Sequence, residues 1–491
     1  MRFIFICLLH IIIVIFEGFY SKCKYDYDPA YSNQNMDGLI CYSNNYVDSP
    51  VIYFRDSSKD YIVKNCTFIK NSGITIDMDD CENGGRGAAF RVDNYPRKVT
   101  VTNCTVYSNI SGATAFYSTS KSNTFITDSK LISTAEYFSK ALGASDDSIT
   151  IVENVYMSTI GHHSSALTTV FRYLKYYPYL SCFNCTFHTK GINSSLIYAS
   201  GETDIFYSNG IAELSHCIIL EGTGILRLLN SSNLKCQGIG YDEGLENSAV
   251  FIYQANFQKN NNFRSLFICR NSKIELLPNG DKYYITPAFF ITNANVDITL
   301  DNCEINYGNK TFMIVSGTNF WGRNNGGNVY LKIINLEIHG DFIVDVTSYL
   351  KINLINSTLI GNFNHQIKNP GKIDIIIDPR SKLEITDESY INILNQKSDN
   401  SNIKNYTKSD KNIRNISVKD FKDDIKTDSD INKEETKENE ETENAVKNEE
   451  HNNEKDKGTN LQSNGESSTN NGKYMINISM LNILYISLLF R

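Results

Sequence analysis

The 491-residue chain lacks the surplus of basic residues that a nucleic-acid-binding surface requires. It has 47 Lys and Arg against 55 Asp and Glu, a net charge of −8, so we expect no nucleic-acid partner. Proline is scarce, with 8 residues, and Trp321 is the single tryptophan. The abundance of Asn, Ile, Ser, Thr and Tyr instead favours strands and turns over helices.

A second C-x-x-C pair is also lacking. Cys182 and Cys185 form the one such motif, which argues against a zinc site built from two pairs. No thioredoxin-like strand–helix pattern surrounds it. A cluster of acidic residues is formed by Asp77, Asp79, Asp80 and Glu82. Such a cluster suits Ca²⁺, but a solvated loop is the interpretation we favour. We therefore expect no metal and no cofactor.

Long apolar runs are confined to the two ends of the chain. Residues 3–16 are apolar and follow Arg2, which predicts a signal peptide over residues 1–21, with an uncleaved membrane anchor as the alternative. Residues 474–491 form an apolar tail behind a polar spacer, the arrangement of a GPI-attachment signal; a membrane anchor stays open as the alternative. We expect a secreted protein at the extracellular cell surface, anchored to the membrane or wall.

Between these ends, three regions differ in composition. Residues 22–49 are interpreted as an N-terminal cap region, and residues 50–395 carry a repeated phrase. Residues 396–473 are dominated by Lys, Glu, Asp, Asn and Ser. Because apolar residues are too sparse there to offset chain entropy, we expect a disordered, charged stalk.

The repeated phrase is a short alternating strand, an Asn, a Cys or Ser, one further residue and an apolar residue. It occurs at 61–68, 99–106, 183–187 and 298–305, and more loosely at 127–131, 214–218, 270–274 and 355–359. The Cys or Ser position is held by Cys66, Cys104, Ser129, Cys185, Cys217, Ser272, Cys303 and Ser357. The longest intervals between these are about two units, so one unit has about 25 to 38 residues, which indicates a solenoid.

The phrase also indicates the kind of solenoid. Val99 and Val101 alternate with threonines, and the alternation resumes after Asn103 with its phase shifted by one. Asn tolerates the left-handed bend that this shift requires. We therefore predict a corner at which equivalent residues stack along the coil. The predicted structural ladder consists of Asn65, Cys66, Asn103, Cys104, Asn184, Cys185, Cys217, Asn302, Cys303 and Asn356.

With this phrase, residues 50–395 resemble the right-handed parallel β-helix superfamily. That group includes pectin-lyase-like enzymes and polymorphic outer-membrane-protein-like surface proteins. The resemblance implies an all-β, right-handed parallel β-helix. Residues 241–263 and 283–293 depart from the phrase and are expected to form lateral loops.

The cysteines divide into two groups. Those of the repeated phrase are interpreted as small buried core residues in a stack. Cys23, Cys41 and Cys81 lie near the N-terminal edge and are the better disulfide candidates.

Many Asn-x-Ser/Thr sequons accompany the phrase. In a secreted chain, such sequons accept glycan where they are exposed. The ladder asparagines are expected to be occupied by the stack. The expected glycosylation sites are Asn109, Asn193, Asn309, Asn405 and Asn415.

The resemblance also raises an enzymatic alternative, a polysaccharide-degrading hydrolase or lyase. Polygalacturonase-like enzymes carry an Asp pair, a downstream Gly-His-Gly and an Arg-Ile-Lys. Asp146 and Asp147 precede Gly161-His162-His163, but the interval is short, and Arg227 is followed by two leucines instead of Ile-Lys. On this alternative alone, the catalytic residues would be Asp146, Asp147 and His162.

We favour a non-catalytic surface protein that presents an extended face for adhesion or for binding glycans or surface proteins. Exposed aromatic residues on flat strands stack on sugar rings or protein partners. Two aromatic clusters are candidates, although core filling explains most such residues: Phe171, Tyr173, Tyr176, Tyr177 and Tyr179, and then Tyr283, Tyr284, Phe289 and Phe290.

Overall fold

The structure is a computed structural model that describes fourteen stretches of the chain. They are residues 21–24, 34–43, 50–55, 59–71, 87–93, 98–170, 177–240, 247–254, 264–278, 285–308, 310–318, 325–365, 367–396 and 403–404. Within these stretches every regular element is a β-strand. No helix long and apolar enough to cross a membrane occurs among them. The predicted signal peptide, stalk and C-terminal tail lie largely or wholly outside the described residues.

The strands, numbered in chain order, form three long parallel sheets and one short sheet. Sheet I has 14 strands and sheets II and III have 11 each. Sheet IV has four strands and takes the place of sheet II in the last turns. The chain visits sheet I, then II or IV, then III, and returns to sheet I. This repeated circuit is a parallel β-helix, which confirms the fold class predicted from the sequence.

Sheet I contains β2 (Met36–Asp37), β5 (Asp60–Lys64), β8 (Lys98–Thr102), β11 (Asn123–Thr127), β14 (Ile149–Glu153), β17 (Tyr179–Phe183), β20 (Glu202–Phe206), β23 (Ile225–Leu229), β26 (Ser265–Arg270), β29 (Asn295–Asp301), β32 (Asn328–Ile334), β35 (Tyr349–Ile355), β37 (Lys372–Ile377) and β39 (Ile393–Gln396). Sheet II contains β1 (Ser21–Lys24), β3 (Leu39–Ser43), β6 (Thr67–Lys70), β9 (Thr105–Ser108), β12 (Lys130–Ser133), β15 (Tyr156–Thr159), β18 (Thr186–Thr189), β21 (Asn209–Ala212), β24 (Asn233–Cys236), β27 (Lys273–Leu276) and β30 (Glu304–Asn306).

Sheet III contains β4 (Ile52–Phe54), β7 (Phe90–Val92), β10 (Phe116–Ser118), β13 (Leu142–Ser145), β16 (Leu167–Val170), β19 (Ile197–Ala199), β22 (Ile218–Glu221), β25 (Val250–Tyr253), β28 (Phe289–Thr292), β31 (Thr311–Val315) and β34 (Asp341–Val344). Sheet IV contains β33 (Glu337–His339), β36 (Thr358–Gly361), β38 (Lys382–Ile385) and β40 (Ile403–Lys404). Strands β1 to β3 precede residue 50 and β40 follows residue 395, so the coil extends beyond both ends of the repeated region.

The core runs along the axis of the coil. Each strand alternates, so Val99 and Val101 of β8 are fully buried while the threonines between and after them are half-buried. Because neighbouring strands are parallel and in register, equivalent apolar side chains stack from rung to rung. The rings of Phe54, Phe90 and Phe116 stack in this way, with centroids 5.5 and 4.5 Å apart. Each rung therefore depends on its neighbours for a buried core.

Candidate functional site

The corner between sheets I and II recurs in successive rungs, and its first residue has a left-handed backbone. Asn65 and Asn103 have φ angles of 53° and 52°. The residues in this column are Gly38, Asn65, Asn103, Asp128, Asn154, Asn184, Tyr207, Asn230, Asn271 and Asn302, followed by Asn335 and Asn356, which lead into sheet IV. The asparagines predicted from the sequence all lie in it.

The corner asparagines are linked by side-chain hydrogen bonds. Asn103 Nδ2 donates to Asn65 Oδ1 at 2.7 Å. The same bond at the same length joins Asn184 to Asn154, Asn302 to Asn271 and Asn356 to Asn335. The amides therefore satisfy one another along the coil.

The second corner residue is Cys or Ser for a reason that goes beyond its size. Ser129 Oγ accepts the Cys104 N–H at 3.0 Å and donates to the Thr127 carbonyl at 2.6 Å. Cys104 does the same with sulfur, accepting the Cys66 N–H at 3.4 Å and donating to the Thr102 carbonyl at 3.3 Å. A hydroxyl and a thiol both donate and accept, so either satisfies the backbone where the sheet is interrupted.

The assignment of Cys217 to this ladder is wrong. Cys217 directly precedes β22 of sheet III and forms a disulfide with Cys236, with a Cα–Cα distance of 5.2 Å. The corners of this region are at Tyr207 and Asn230, neither of which belongs to the copy proposed at 214–218. Cys41 is disulfide-bonded, whereas Cys81 and the side chain of Cys23 lie outside the described residues.

We expect the corner backbone and the amide ladder to contribute separately to stability. Asn103→Ala loses both the tolerance for positive φ and the bond to Asn65, and should cost about 2 kcal/mol. Asn103→Gly keeps the backbone and should cost roughly half as much. Urea unfolding of the two variants measures the difference, and equal losses would show that the left-handed backbone carries no cost.

The predicted glycosylation sites differ in exposure. Asn109 is exposed, and its Nδ2 donates to Asn71 Oδ1 at 3.3 Å. Asn193 is only 5% exposed, contrary to the expectation of an accessible acceptor, and it has a left-handed backbone with φ 55° in the connection between β18 and β19. Asn309, Asn405 and Asn415 lie outside the described residues.

The residues of the enzymatic alternative are not brought together. Asp146 and Asp147 form the turn between β13 and β14, whereas His162 lies in the connection between β15 and β16. These two corners lie at opposite ends of the four-residue strands of sheet III, and a strand of that length spans about 13 Å. Asp146 Oδ2 instead accepts bonds from Thr119 Oγ1 at 3.0 Å and Ser145 Oγ at 3.1 Å. Asp146, Asp147 and His162 therefore form no catalytic group.

One corner residue breaks the pattern in a way that suggests a site. Tyr207 has φ 51° in a column otherwise made of Asn, Asp and Gly38, although a bulky residue is strained there. Its ring is 45% exposed and meets the ring of Phe183, itself 44% exposed, edge to face at 5.1 Å. We call Phe183 and Tyr207 the aromatic pair. Strained exposed residues are concentrated at functional sites.

A charged network lies beside the aromatic pair on the outer face of sheet I. Arg227 Nη1 donates to Glu202 Oε1 at 2.6 Å and to Asp204 Oδ1 at 2.9 Å. Tyr179 Oη donates to Asp204 Oδ2 at 3.1 Å. We call Tyr179, Glu202, Asp204 and Arg227 the Arg227 network. Tyr179 begins β17, which Phe183 ends. Glu202 and Asp204 lie on β20, which Tyr207 directly follows.

The electrostatics of the network follow from partial burial among opposite charges. Burial acts to lower the pKa of Arg227, but hydrogen bonds and charges from Asp204 and Glu202 outweigh it and raise the pKa. Burial, and then the charge of Asp204, raises the pKa of Tyr179. The network is thus a fixed set of donors and acceptors next to an exposed aromatic surface, which is what hydroxyl-rich ligands require.

The sequence singled out part of this site. Tyr177 and Tyr179 of the first predicted aromatic cluster are exposed and half-buried, whereas Phe289 and Phe290 of the second are buried. The other members lie outside the described residues: Phe171, Tyr173, Tyr176, Tyr283 and Tyr284. Tyr207 was missed because the copy at 214–218 was taken as the corner of this region, and Phe183 was interpreted only as part of the copy at 183–187.

Cys182 and Cys185 are both buried, on either side of the corner residue Asn184. In the described stretches, no group of three or more His, Cys, Asp or Glu side chains is arranged to hold a metal ion. Comparison with known proteins found no matching family model, no matching curated protein and no matching solved structure.

Proposed function

We propose that this chain is a non-catalytic glycoprotein of the right-handed parallel β-helix superfamily, similar to the surface-protein and pectin-lyase-like repeats. It is secreted, held at the cell surface by its C-terminal anchor, and binds extracellular glycans through the outer face of sheet I. Its role is adhesion. The observation that supports this most strongly is the exposed aromatic pair beside the Arg227 network.

The two parts of the site match the two faces of a sugar ring. Its C–H face stacks on aromatic surface, which Phe183 and Tyr207 provide in nearly half-exposed form. Its hydroxyls both donate and accept hydrogen bonds. The side chains of Glu202 and Arg227, 31% and 29% exposed, present a carboxylate and a guanidinium on the same face, while Asp204 holds Arg227 in place. Because sheet I is long and parallel, a linear chain has room to continue beyond the site.

The strain at Tyr207 supports a selected role. Asn would relieve it, since Asn occupies the same corner one rung before and one rung after, at Asn184 and Asn230. A tyrosine in this strained position is explained if its exposed ring binds a ligand.

A polysaccharide hydrolase is the second candidate, favoured by the nearness of Glu202 and Asp204. Glycosidases use two carboxyl groups across the scissile bond. Here both groups bind the same Arg227 nitrogen, at 2.6 and 2.9 Å, so the oxygens concerned are engaged rather than directed at a bond. The arrangement therefore supports binding better than hydrolysis.

A polysaccharide array scored for both retention and released sugar tests this proposal. We expect the full chain to be retained without product, and Tyr207→Asn to reduce retention at least tenfold, which is about 1.4 kcal/mol of lost stacking. The same variant should be about 1 kcal/mol more stable in urea, because Asn accommodates positive φ.

Tyr42→Asn is the matched control, because Tyr42 is an exposed tyrosine of sheet II, 37% accessible and distant from the site. Its retention should equal that of the wild type. Release of sugar would contradict this proposal and support the polysaccharide hydrolase instead. Equal retention of Tyr207→Asn and wild type would remove the aromatic pair from the binding surface.

A further inference from the structure

The N-terminal rungs contain two thiols that face each other across neighbouring turns. Strand β6 pairs with β9 so that Thr67 lies beside Thr105, and β5 pairs with β8 so that Lys64 lies beside Thr102. Cys66 and Cys104 therefore occupy the same corner position in adjacent rungs. They are 1% and 2% exposed, and neither forms a disulfide in the structure.

The spacing of the rungs suits a disulfide between these residues. Neighbouring strands lie about 4.7–4.9 Å apart, and disulfides join Cα atoms about 4.4–6.8 Å apart. The Cys217–Cys236 disulfide of this chain has a Cα–Cα distance of 5.2 Å. Cys104 Sγ already lies 3.4 Å from the backbone nitrogen of Cys66, and the two side chains are hydrogen-bonded to each other.

We propose that Cys66 and Cys104 close a reducible disulfide that links two successive turns of the coil. The link joins residues 66 and 104 and so closes a covalent loop of the chain between them. It would make the N-terminal rungs resistant to opening under oxidising conditions and release them under reducing ones.

The chemistry balances with a small-molecule disulfide as oxidant. The Cys66 thiolate attacks oxidised glutathione, forming a mixed disulfide and releasing one glutathione thiolate. Cys104 gives its proton to that thiolate and attacks the Cys66 sulfur, which releases the second glutathione. Because both thiols are buried, the exchange precedes closure of the rungs.

The remaining free cysteines of the described stretches lack this arrangement. Cys182 and Cys185 lie in one rung, on either side of a corner. Cys269 precedes its corner while Cys303 follows the next one. Only Cys66 and Cys104 among them share a corner position in adjacent rungs.

The full chain, produced through a secretory pathway and alkylated before digestion, tests the proposal by non-reducing peptide mapping. We expect a linked peptide that contains Cys66 and Cys104, with loss of alkylation at both, in the same map as Cys217 linked to Cys236. Both thiols fully alkylated beside an intact Cys217–Cys236 link would overturn the proposal.

A second measurement separates the link from general stability. Reductant should speed proteolysis near residues 60–108 in the wild type. Cys104→Ser preserves the corner hydrogen bonds, since Ser129 and Ser208 occupy this position in other rungs. Its cleavage there should respond less to reductant than that of the wild type, by the part that the Cys66–Cys104 link contributes. An equal response in both proteins would assign the effect to the other disulfides, of which that of Cys41 lies in the strand beside β6, and contradict the proposal.

Discussion

Gly191→Ala is expected to destabilise the coil by about 3–5 kcal/mol, among the largest effects of any single substitution in it. Gly191 follows β18 and lies directly over Gly161, which follows β15 one rung earlier. A Cβ on Gly191 would overlap the carbonyl oxygen and carbon of Gly161. Because those atoms are backbone, the two rungs would have to separate, which disrupts the core on both sides.

The urea midpoint of Gly191→Ala measures this loss, provided that the slope of the transition is unchanged. Gly222→Ala is the matched control. Gly222 has φ +68°, but nothing lies within 4 Å of a Cβ there, so only backbone strain of about 1–2 kcal/mol is expected. Similar losses in the two variants would show that rung-to-rung contact at Gly161 is not close.

Acidification from pH 6.5 to pH 4 is expected to remove up to roughly 6 kcal/mol of stability through two histidines, the buried His216 and the half-buried His163. Burial lowers the pKa of His216 to about 4, although its bond to the Ser248 carbonyl opposes this. Burial, and then the charges of His162 and Lys140, lowers the pKa of His163 to about 4. The unfolded chain binds these protons near pH 6.5, so each histidine accounts for roughly 3 kcal/mol.

The sign of the effect is fixed by which state binds the proton. Above pH 6.5 both histidines are neutral in the folded and in the unfolded state, and they do not reduce the free energy of unfolding. Between pH 6.5 and 4 only the unfolded state is protonated, so stability falls as the pH falls, and the loss ends below about pH 4.

Urea midpoints measured across this range test the prediction, with His216→Phe as the informative variant. Phenylalanine keeps a ring that stacks on Phe251, as the His216 ring does at 5.5 Å, but it cannot bind a proton. About half of the fall in stability between pH 6.5 and pH 4 should therefore disappear. A wild-type urea midpoint that does not change between pH 6.5 and pH 4 would contradict the lowered pKa of His163 and His216.

The fold was predictable because most turns of the coil repeat the same chemistry at one corner. A residue that tolerates positive φ precedes one that donates and accepts, as at Asn103 and Cys104. Sheet III has no comparable signal, since its strands are short and mix apolar with small polar residues in no fixed pattern. Residues 241–263 and 283–293, expected as loops, therefore contain β25 and β28.

The candidate site was harder to predict because it departs from the rule that revealed the fold. Tyr207 and Val155 break the Asn–Cys/Ser phrase, and the copy at Cys217 was taken in place of the true corners. One signal was present: Asn184 and Asn230 lie two short units apart, and the midpoint between them is Tyr207. The Arg227 network depends on cross-strand register, which periodicity alone does not give.

The most direct test of the central claim is hydroxyl-radical footprinting of the full chain with the polysaccharide that the array retains most strongly. We predict that oxidation of Phe183 and Tyr207 falls several-fold on addition of this polysaccharide, while oxidation of Tyr42 on sheet II stays constant. Unchanged oxidation of Phe183 and Tyr207 in the bound protein would contradict a glycan-binding face on sheet I.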